Sequence, residues 1–176
     1  MTPQEISELR KKYYNATVIK IMDAGEGLWR IRIQTDTPLQ PYKPGQYSTI
    51  GLGYWEPRHP KAQVETLDPT KQNKLLRRAY SISHPMLDEQ TGELIKTEKI
   101  DYYEFYITLV LQGDKPDQPP AFTPRLFTLK EGDRVAFGPK VTGHYTMESV
   151  DLSTQPTFLF LATGTGEAPH NAMIWQ

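Results

Sequence analysis

The sequence has 176 residues, of which 38% are apolar and 23% are charged, and its formal net charge is −1 at pH 7. This length supports one ordinary domain with a core, but not two complete ones. The balanced charge argues against general nucleic-acid binding. The sequence contains no cysteine, which excludes disulfides, zinc-thiolate sites, iron-sulfur clusters and thiol nucleophiles on these residues. Any redox chemistry therefore needs an organic cofactor or a metal held by nitrogen or oxygen ligands.

The distribution of apolar residues and histidines bears on location and metal binding. The polar N-terminus lacks the apolar segment of a signal peptide, and no apolar run approaches membrane-spanning length. We therefore expect a cytoplasmic protein without a membrane span. No two of the four histidines are three or four residues apart, so we expect no metal site.

The N-terminal part of the chain predicts a short helix and then a β-hairpin. Thr2 followed by Glu5 is typical of a capping box, with a helix that ends near Lys12. Alternating, β-branched segments at 16–21 and 28–33 flank a glycine-rich turn, which predicts two paired strands.

Short strands separated by loops are predicted for the middle of the chain, because fifteen prolines and twelve glycines leave little room for long helices. The polar stretch 53–76 has no period, and so long a loop is either functional or specific to a subgroup. The predicted elements are strands at 47–50, 77–83, 102–111 and 134–137 and a short helix at 123–130.

The end of the sequence differs in kind from the earlier strands. The run 157–162 is almost entirely apolar and is followed by Gly164-Thr165-Gly166 and a helical pattern to Gln176, as at the start of a parallel α/β unit. We therefore predict a mainly β fold: a domain over 1–150 that consists of a short N-terminal helix and a six-stranded antiparallel Greek-key barrel. The first strand and helix of an incomplete α/β nucleotide-binding domain are predicted over 151–176.

Two segments carry residues suited to binding a dinucleotide. Arg78, Tyr80 and Ser81 offer a cation for a phosphate, an aromatic face and a hydroxyl on one strand. On spacing alone, an edge strand with a solvated arginine is the better explanation of the first segment. The Gly164-Thr165-Gly166 turn allows close approach of a ligand to the backbone. It lacks the full dinucleotide-binding spacing because Pro169 replaces the third glycine, and many α/β connections contain such glycines.

Four segments in order resemble the ferredoxin-NADP reductase family. The Arg-x-Tyr-Ser strand resembles the family's FAD signature, and it follows a segment that resembles the turn before the flavin strand. The others resemble the family's pyrophosphate-side helix with its exit turn and its Gly-Thr-Gly-x-Ala-Pro loop. In chain order, the four segments begin at Pro44, Arg78, Thr123 and Gly164. Four ordered motifs are more specific than any one of them.

The resemblance implies FAD as cofactor and NADP, or NAD, as co-substrate. It implies that Arg78 pairs with the FAD pyrophosphate, that Tyr80 packs on the isoalloxazine, and that Ser81 lies near flavin N5, which makes Tyr80 and Ser81 the candidate catalytic residues. Thr123 is implied to contact the pyrophosphate, a role that also suits a residue at a helix N-terminus. The further cofactor-binding residues implied are Ala79, Ile82, Ser83, Pro124, Arg125, Thr163, Gly164, Thr165 and Gly166.

Several functions remain open at this stage. The first is an oxidoreductase that moves electrons between NAD(P)H and a one-electron carrier such as ferredoxin or flavodoxin. The second is an FAD-binding module or fragment, because the sequence ends at Gln176; the third is the reductase component of an oxygenase system, and the last is a plain barrel that binds something else. Basic residues around Arg58 and Lys71 suit either a solvated loop or an acidic electron carrier. His84, directly after the flavin strand, is a candidate to face the cofactor.

Overall fold

The computed structural model describes residues 1–85, 87–88, 90–95 and 100–175. Six strands and a few short helices form the described chain, which confirms the prediction of a mainly β fold. The elements are α1 (Pro3–Tyr13), β1 (Ala16–Asp23), β2 (Leu28–Thr35), β3 (Tyr47–Gly53), β4 (Leu75–Ser81), β5 (Tyr103–Thr108), α2 (Thr123–Leu126), β6 (Arg134–Phe137) and α3 (Ala168–Ile174). In the described part of the chain, no helix combines the length and the hydropathy that crossing a bilayer would need.

Helix α1 begins with the predicted capping box. The Glu5 backbone N–H donates to Thr2 Oγ1 at 3.2 Å, and the Thr2 backbone N–H donates to Glu5 Oε2 at 2.7 Å. These bonds satisfy two donors that a helix start otherwise leaves unpaired. The helix is anchored to the body by Arg10, which forms an ion pair with the buried carboxylate of Glu56.

All strand pairs in the sheet are antiparallel, and their spatial order is β4-β3-β6-β1-β2-β5. The β1–β2 hairpin is the one predicted, and Ile31 and Ile33 on β2 are fully buried while the arginines between and beside them are not. The edge strands are linked through one bridge, in which the Ser83 backbone N–H donates to the Glu104 carbonyl at 2.8 Å. The strand order and this link fit the predicted six-stranded architecture.

The core lies on the inner face of this sheet. Inward residues of β5 stack on β6, with the rings of Tyr103 and Phe137 4.6 Å apart. The fully or almost fully buried core side chains include Val18, Ile31, Ile33, Ile50, Leu52, Ile82, Tyr103, Phe105, Ile107, Leu126 and Val135. Burial of each such side chain stabilises the fold by about 1.5–3 kcal/mol before entropy is subtracted.

The loop 53–76 is held to the body by hydrogen bonds to the segment around α2. Arg58 donates to the Gln63 carbonyl within the loop at 2.9 Å and to the Pro120 carbonyl at 2.8 Å. The His59 backbone N–H donates to the Pro124 carbonyl at 2.7 Å. A 3-10 turn at Pro69–Lys71 precedes β4. The loop therefore packs over α2, which the sequence pattern did not indicate.

The strands predicted at 77–83 and 102–111 are observed at Leu75–Ser81 and Tyr103–Thr108, and two other predicted elements differ more from the structure. The helix expected at 123–130 ends at Leu126. The chain then continues in turns, in which the backbone N–H groups of residues 128 and 129 donate to the carbonyls three residues before them. The apolar run 157–162 forms no strand, and Leu159 and Leu161 are exposed. A parallel strand needs neighbouring strands for its hydrogen bonds, and the described chain provides none there. Helix α3 is present as expected.

Candidate functional site

Strand β4 presents Arg78 at the surface. Side chains alternate along a strand, so Arg78 lies on the same face as Leu76 and Tyr80, and Arg77 lies on the other face. The side chain of Arg78 is exposed, and within the described residues its guanidinium donates only to the Arg77 carbonyl, at 2.9 Å. Most of its five N–H donors therefore remain available for an anionic ligand.

The ring of Tyr80 links β4 to the start of α2. It lies against Phe122 with ring centroids 5.9 Å apart and an interplanar angle of 37°. Burial raises the pKa of Tyr80 well above its ordinary value, and the nearby charge of Arg78 offsets this only in part. The hydroxyl is therefore protonated at neutral pH and can donate a hydrogen bond to a ligand beside Arg78.

Residues Ser81 to Ser83 lie next to the Pro44-Gly45-Gln46-Tyr47 turn. Ser81 pairs with Tyr47 across the β3–β4 ladder. The Ile82 backbone N–H donates to the Gln46 carbonyl at 2.9 Å. Ile82 and Ser83 are fully buried, whereas Ser81 is half-buried. Two of the four sequence motifs are thus joined by direct hydrogen bonds.

Thr123 occupies the first position of α2 and not the cap position, which Phe122 takes. The Thr123 hydroxyl accepts a hydrogen bond from the Val110 backbone N–H at 3.0 Å, so it is engaged with the loop after β5. Helix α2 has four residues, too few to supply a substantial macrodipole. The contact between Tyr80 and Phe122 nevertheless brings the start of this helix next to β4.

Arg125 makes its observed contacts with the protein itself. Its guanidinium donates to Glu65 Oε2 at 2.5 Å, to the Ala121 carbonyl at 2.7 Å and to the Tyr54 carbonyl at 3.2 Å. It also lies over the Tyr54 ring at 5.2 Å, and the residue is only 2% exposed. The neighbouring Pro124 is buried as well. These contacts indicate a structural role for Arg125, whereas the resemblance implied a cofactor-binding one.

The Gly164-Thr165-Gly166 segment forms a 3-10 turn at Gly164–Glu167 that leads into α3. Thr163, Gly164 and Gly166 are exposed and Thr165 is half-buried. Gly164 has a φ of +54° and no atom within 4 Å of the position of a Cβ, so the backbone here is open to close approach.

Helix α3 packs against the end of the β4 segment and against β5. The side-chain amide of Asn171 donates to the Tyr106 hydroxyl at 3.1 Å and lies 3.5 Å from Ser83 Oγ. Helix α3, which follows the Gly-Thr-Gly turn, is therefore in contact with Ser83, the last residue of the segment that begins at Arg78. His84, the next residue, stacks on Trp175 with ring centroids 6.0 Å apart, so it faces the region of α3.

The structure also contains a buried ion pair that the sequence did not reveal. Glu104 on β5 accepts a hydrogen bond from Arg32 Nε at 2.8 Å, and its side chain is fully buried. Among the residues that the structure describes, Glu104 Oε1 has no hydrogen-bond partner. Alternation with the inward Tyr103 and Phe105 predicts an outward, solvated Glu104; its burial follows from tertiary packing beside Ser83, for which the sequence carries no signal.

Among the described residues, no group of three or more acidic or histidine side chains is arranged to hold a metal ion.

Comparisons with known proteins identify the fold. No protein-family model matches the sequence, and no curated protein sequence matches it. Among solved structures, the ferredoxin-NADP+ reductase from Plasmodium falciparum with 2'P-AMP superposes with a TM-score of 0.59 at 15% identity, over 94% of this chain and 51% of that one. The ferredoxin-NADP+ reductase from Neisseria gonorrhoeae with bound FAD and NADP gives a TM-score of 0.53 at 18% identity, over 94% and 51%. The cytochrome P450 reductase from Amycolatopsis gives 0.55 at 21% identity, over 92% and 38%.

These similarities cover nearly all of this chain but only about half of the two ferredoxin-NADP+ reductase chains and 38% of the cytochrome P450 reductase chain. The chain thus has the fold found in ferredoxin-NADP+ reductases and related reductases. The predicted resemblance of fold is confirmed.

Proposed function

We propose that this chain binds FAD across strand β4 and belongs to an oxidoreductase that moves electrons between NAD(P)H and a one-electron carrier, in the manner of a ferredoxin-NADP reductase. The observation that supports this most strongly is that Arg78 and Tyr80 lie on the same face of β4. An exposed guanidinium with available donors lies on the same strand face as an aromatic ring whose hydroxyl stays protonated. A dinucleotide flavin needs both a cation for its pyrophosphate and an aromatic surface for its ring system.

The residues of this chain would divide the binding between them. Arg78 would hold the pyrophosphate bidentately, with the backbone near Thr123 on the other side. Tyr80 would pack on the isoalloxazine, and its hydroxyl would donate a hydrogen bond to the ribityl chain. Ser81, half-buried at the end of β4, would place its hydroxyl beside flavin N5, and Ala79, Ile82 and Ser83 would offer backbone contacts. FAD itself supplies the redox chemistry, since it accepts a hydride and releases single electrons.

We assign residues 1–150 to the FAD-binding domain and 151–176 to the beginning of a nucleotide-binding domain. The segment from Thr163 to Gly166 would approach the nicotinamide of NADP or NAD, because its backbone is exposed and unobstructed at Gly164. The two similar ferredoxin-NADP+ reductases are about twice as long as the aligned region, which supports a function that also needs residues outside this sequence.

The partner we propose is an acidic one-electron carrier, ferredoxin or flavodoxin, in the cytoplasm. Exposed basic side chains lie on β4 and in the loop before it, at Lys71, Lys74 and Arg77, and opposite charge accelerates the encounter with such a carrier. A second candidate is the reductase component of an oxygenase system, which the fold similarity to the Amycolatopsis cytochrome P450 reductase favours. A third is an FAD-binding module without complete nucleotide-dependent activity.

The test is stepwise. Incubation with FAD and removal of free flavin should leave a yellow protein with a flavin absorbance spectrum; a colourless protein would rule out every flavin-dependent candidate. NADPH-driven reduction of an artificial electron acceptor by the flavin-loaded protein then separates a reductase from an FAD-binding module. Reduction of ferredoxin against reduction of an oxygenase component separates the first two candidates.

A further inference from the structure

We infer that a buried charge cluster at α2, formed by Arg58, Glu65 and Arg125, attracts the pyrophosphate of FAD electrostatically without touching it. This inference deepens the proposed function and rests on it. Arg58 and Glu65 come from the loop 53–76, to which the FAD contacts proposed above assign no part. The cluster thus gives this long loop a role in cofactor binding.

The cluster holds more positive than negative charge. Arg125 donates to Glu65 Oε2 at 2.5 Å, and Arg58 Nε lies 3.6 Å from the same oxygen. Two guanidinium groups therefore share one carboxylate, and within the described chain neither pairs with a second acidic side chain. The exposed fractions of the side chains are 17% for Arg58, 10% for Glu65 and 3% for Arg125, so salt screens the excess charge only weakly.

The hydrogen-bond donors of the cluster outnumber its acceptors. Among the described residues, the Nε atoms of both Arg58 and Arg125 are buried without a hydrogen-bond partner. Burial lowers the pKa of Arg58, the Glu65 carboxylate opposes this change and the charge of Arg125 adds to it. A guanidinium keeps its proton at neutral pH in spite of such a shift, so both cations persist. The cluster is therefore short of negative charge, which a nearby anion compensates.

Both arginines bond to the backbone that leads into α2. Arg58 donates to the Pro120 carbonyl at 2.8 Å, and Arg125 donates to the Ala121 carbonyl at 2.7 Å. A trans peptide link points its C=O and its N–H in opposite directions, and none of the described peptide bonds is cis. The N–H groups of Ala121 and Phe122 therefore point away from the guanidinium groups. Neither N–H makes a hydrogen bond within the part of the chain that the structure describes.

These two N–H groups connect the cluster to the proposed FAD site. A cation bonded to the carbonyl of a peptide link polarises that link and strengthens its N–H as a donor. Phe122, which carries the second of these donors, packs against Tyr80 with ring centroids 5.9 Å apart, on the strand face that also presents Arg78. The pyrophosphate would lie between Arg78, which binds it directly, and the backbone that the buried cluster polarises.

The test changes the charge of the cluster in both directions and measures the dissociation constant for FAD by quenching of flavin fluorescence. Arg58→Gln removes the excess charge and should weaken binding about fivefold, as expected for one partly buried charge that does not contact the ligand. Arg58→Lys keeps the charge but loses the fork of donors, and it should stay within about twofold of the wild type. Glu65→Gln adds one excess charge, retains an acceptor for Arg125 and should tighten FAD binding.

A cluster that only stabilises the loop gives a different pattern, because hydrogen bonds are lost in Arg58→Lys as well as in Arg58→Gln. Equal weakening by these two variants, or an unchanged affinity of Arg58→Gln, would overturn the inference. Thermal unfolding verifies that each variant is folded; if Glu65→Gln is not, the two Arg58 variants still decide.

Riboflavin is the matched probe, since it shares the ring system of FAD but has no phosphate. Arg58→Gln should leave its affinity unchanged, and an equal loss for riboflavin and FAD would contradict an electrostatic role. A wild-type protein that does not bind FAD would overturn the proposed function itself. A wild type that binds FAD without any dependence on the charge of the cluster would overturn only this inference.

Discussion

Asn171 of α3 donates a hydrogen bond to the hydroxyl of Tyr106 on β5 at 3.1 Å, and this bond fixes the helix after the Gly-Thr-Gly turn to the sheet. Tyr106→Phe removes only the hydroxyl, so we expect a loss of about 1 kcal/mol in the free energy of unfolding. We also expect faster proteolysis between residues 151 and 167, because α3 then detaches more often. Urea unfolding and limited proteolysis measure these effects. Tyr47→Phe is the control, since the Tyr47 hydroxyl makes no hydrogen bond within the described residues; equal effects of both variants would contradict the assignment.

The Pro44-Gly45 turn depends on the absence of a side chain at Gly45. Its φ is +94°, and a Cβ there would lie 1.7 Å from the Tyr145 carbonyl oxygen and 2.4 Å from the Met173 side chain. Gly25 has a similar φ of +84° but no atom within 4 Å. We expect Gly25→Ala to cost about 1 kcal/mol from backbone strain alone.

Gly45→Ala should cost about 3 kcal/mol or more, because overpacking adds to the same strain. Thermal and urea unfolding of the two variants compare these values directly. A Gly45→Ala protein as stable as Gly25→Ala would show that the turn and α3 do not pack as described.

Arg125 is expected to act on stability more than on cofactor binding. Its side chain is 3% exposed and pairs with Glu65, whose side chain is 10% exposed. Arg125→Ala leaves the buried Glu65 carboxylate with Arg58, at 3.6 Å, as its remaining ion-pair partner. Removal of one member of such a buried pair costs about 3 kcal/mol. Urea unfolding tests this. A variant of unchanged stability but reduced FAD affinity would instead support the cofactor-binding role implied by the family resemblance.

The burial of His84 predicts a pH dependence of stability. Burial lowers its pKa in the folded state, whereas the unfolded chain takes up the proton near pH 6.5. Below that pH the unfolded state binds more protons than the folded state, so stability falls as the pH decreases. Urea unfolding at pH 7.0 and 5.5 should show a loss that is smaller in His84→Phe. An identical loss in both proteins would contradict the assignment.

Local sequence patterns predicted the parts of the fold that local chemistry determines. The β1–β2 hairpin and the capping box at Thr2 were predicted because alternation and capping act over a few residues. Strand β6 was predicted with the observed bounds, Arg134–Phe137. Strand β4 begins at Leu75, two residues before the predicted start, because the aperiodic loop before it hides the boundary.

The remaining features depend on contacts between distant segments. The run 157–162 has the composition of a buried strand, yet a strand requires partners that composition does not supply. Glu104 is buried beside Arg32, which lies 72 residues earlier in the sequence, and Thr123 bonds to Val110 across the segment that joins β5 to α2. The sequence motifs indicated which segments meet around β4, but not which side chains there are already bonded to the protein.

The central claim, that Arg78 holds FAD, is tested most directly by a matched pair of variants on β4. Arg78→Ala and Arg77→Ala each remove one exposed positive charge from neighbouring positions, but the two side chains lie on opposite faces of the strand. The stem of Arg77 lies over Gly51, so its replacement should leave the Arg78 face intact.

The measurement is the dissociation constant for FAD, from quenching of flavin fluorescence at fixed ionic strength. Loss of charge-assisted hydrogen bonds to the pyrophosphate should weaken binding by Arg78→Ala about 10- to 100-fold. Arg77→Ala should stay within about twofold of the wild type, because only long-range attraction is lost. Equal affinities of the two variants, or a wild-type protein that does not quench flavin fluorescence, would contradict the account.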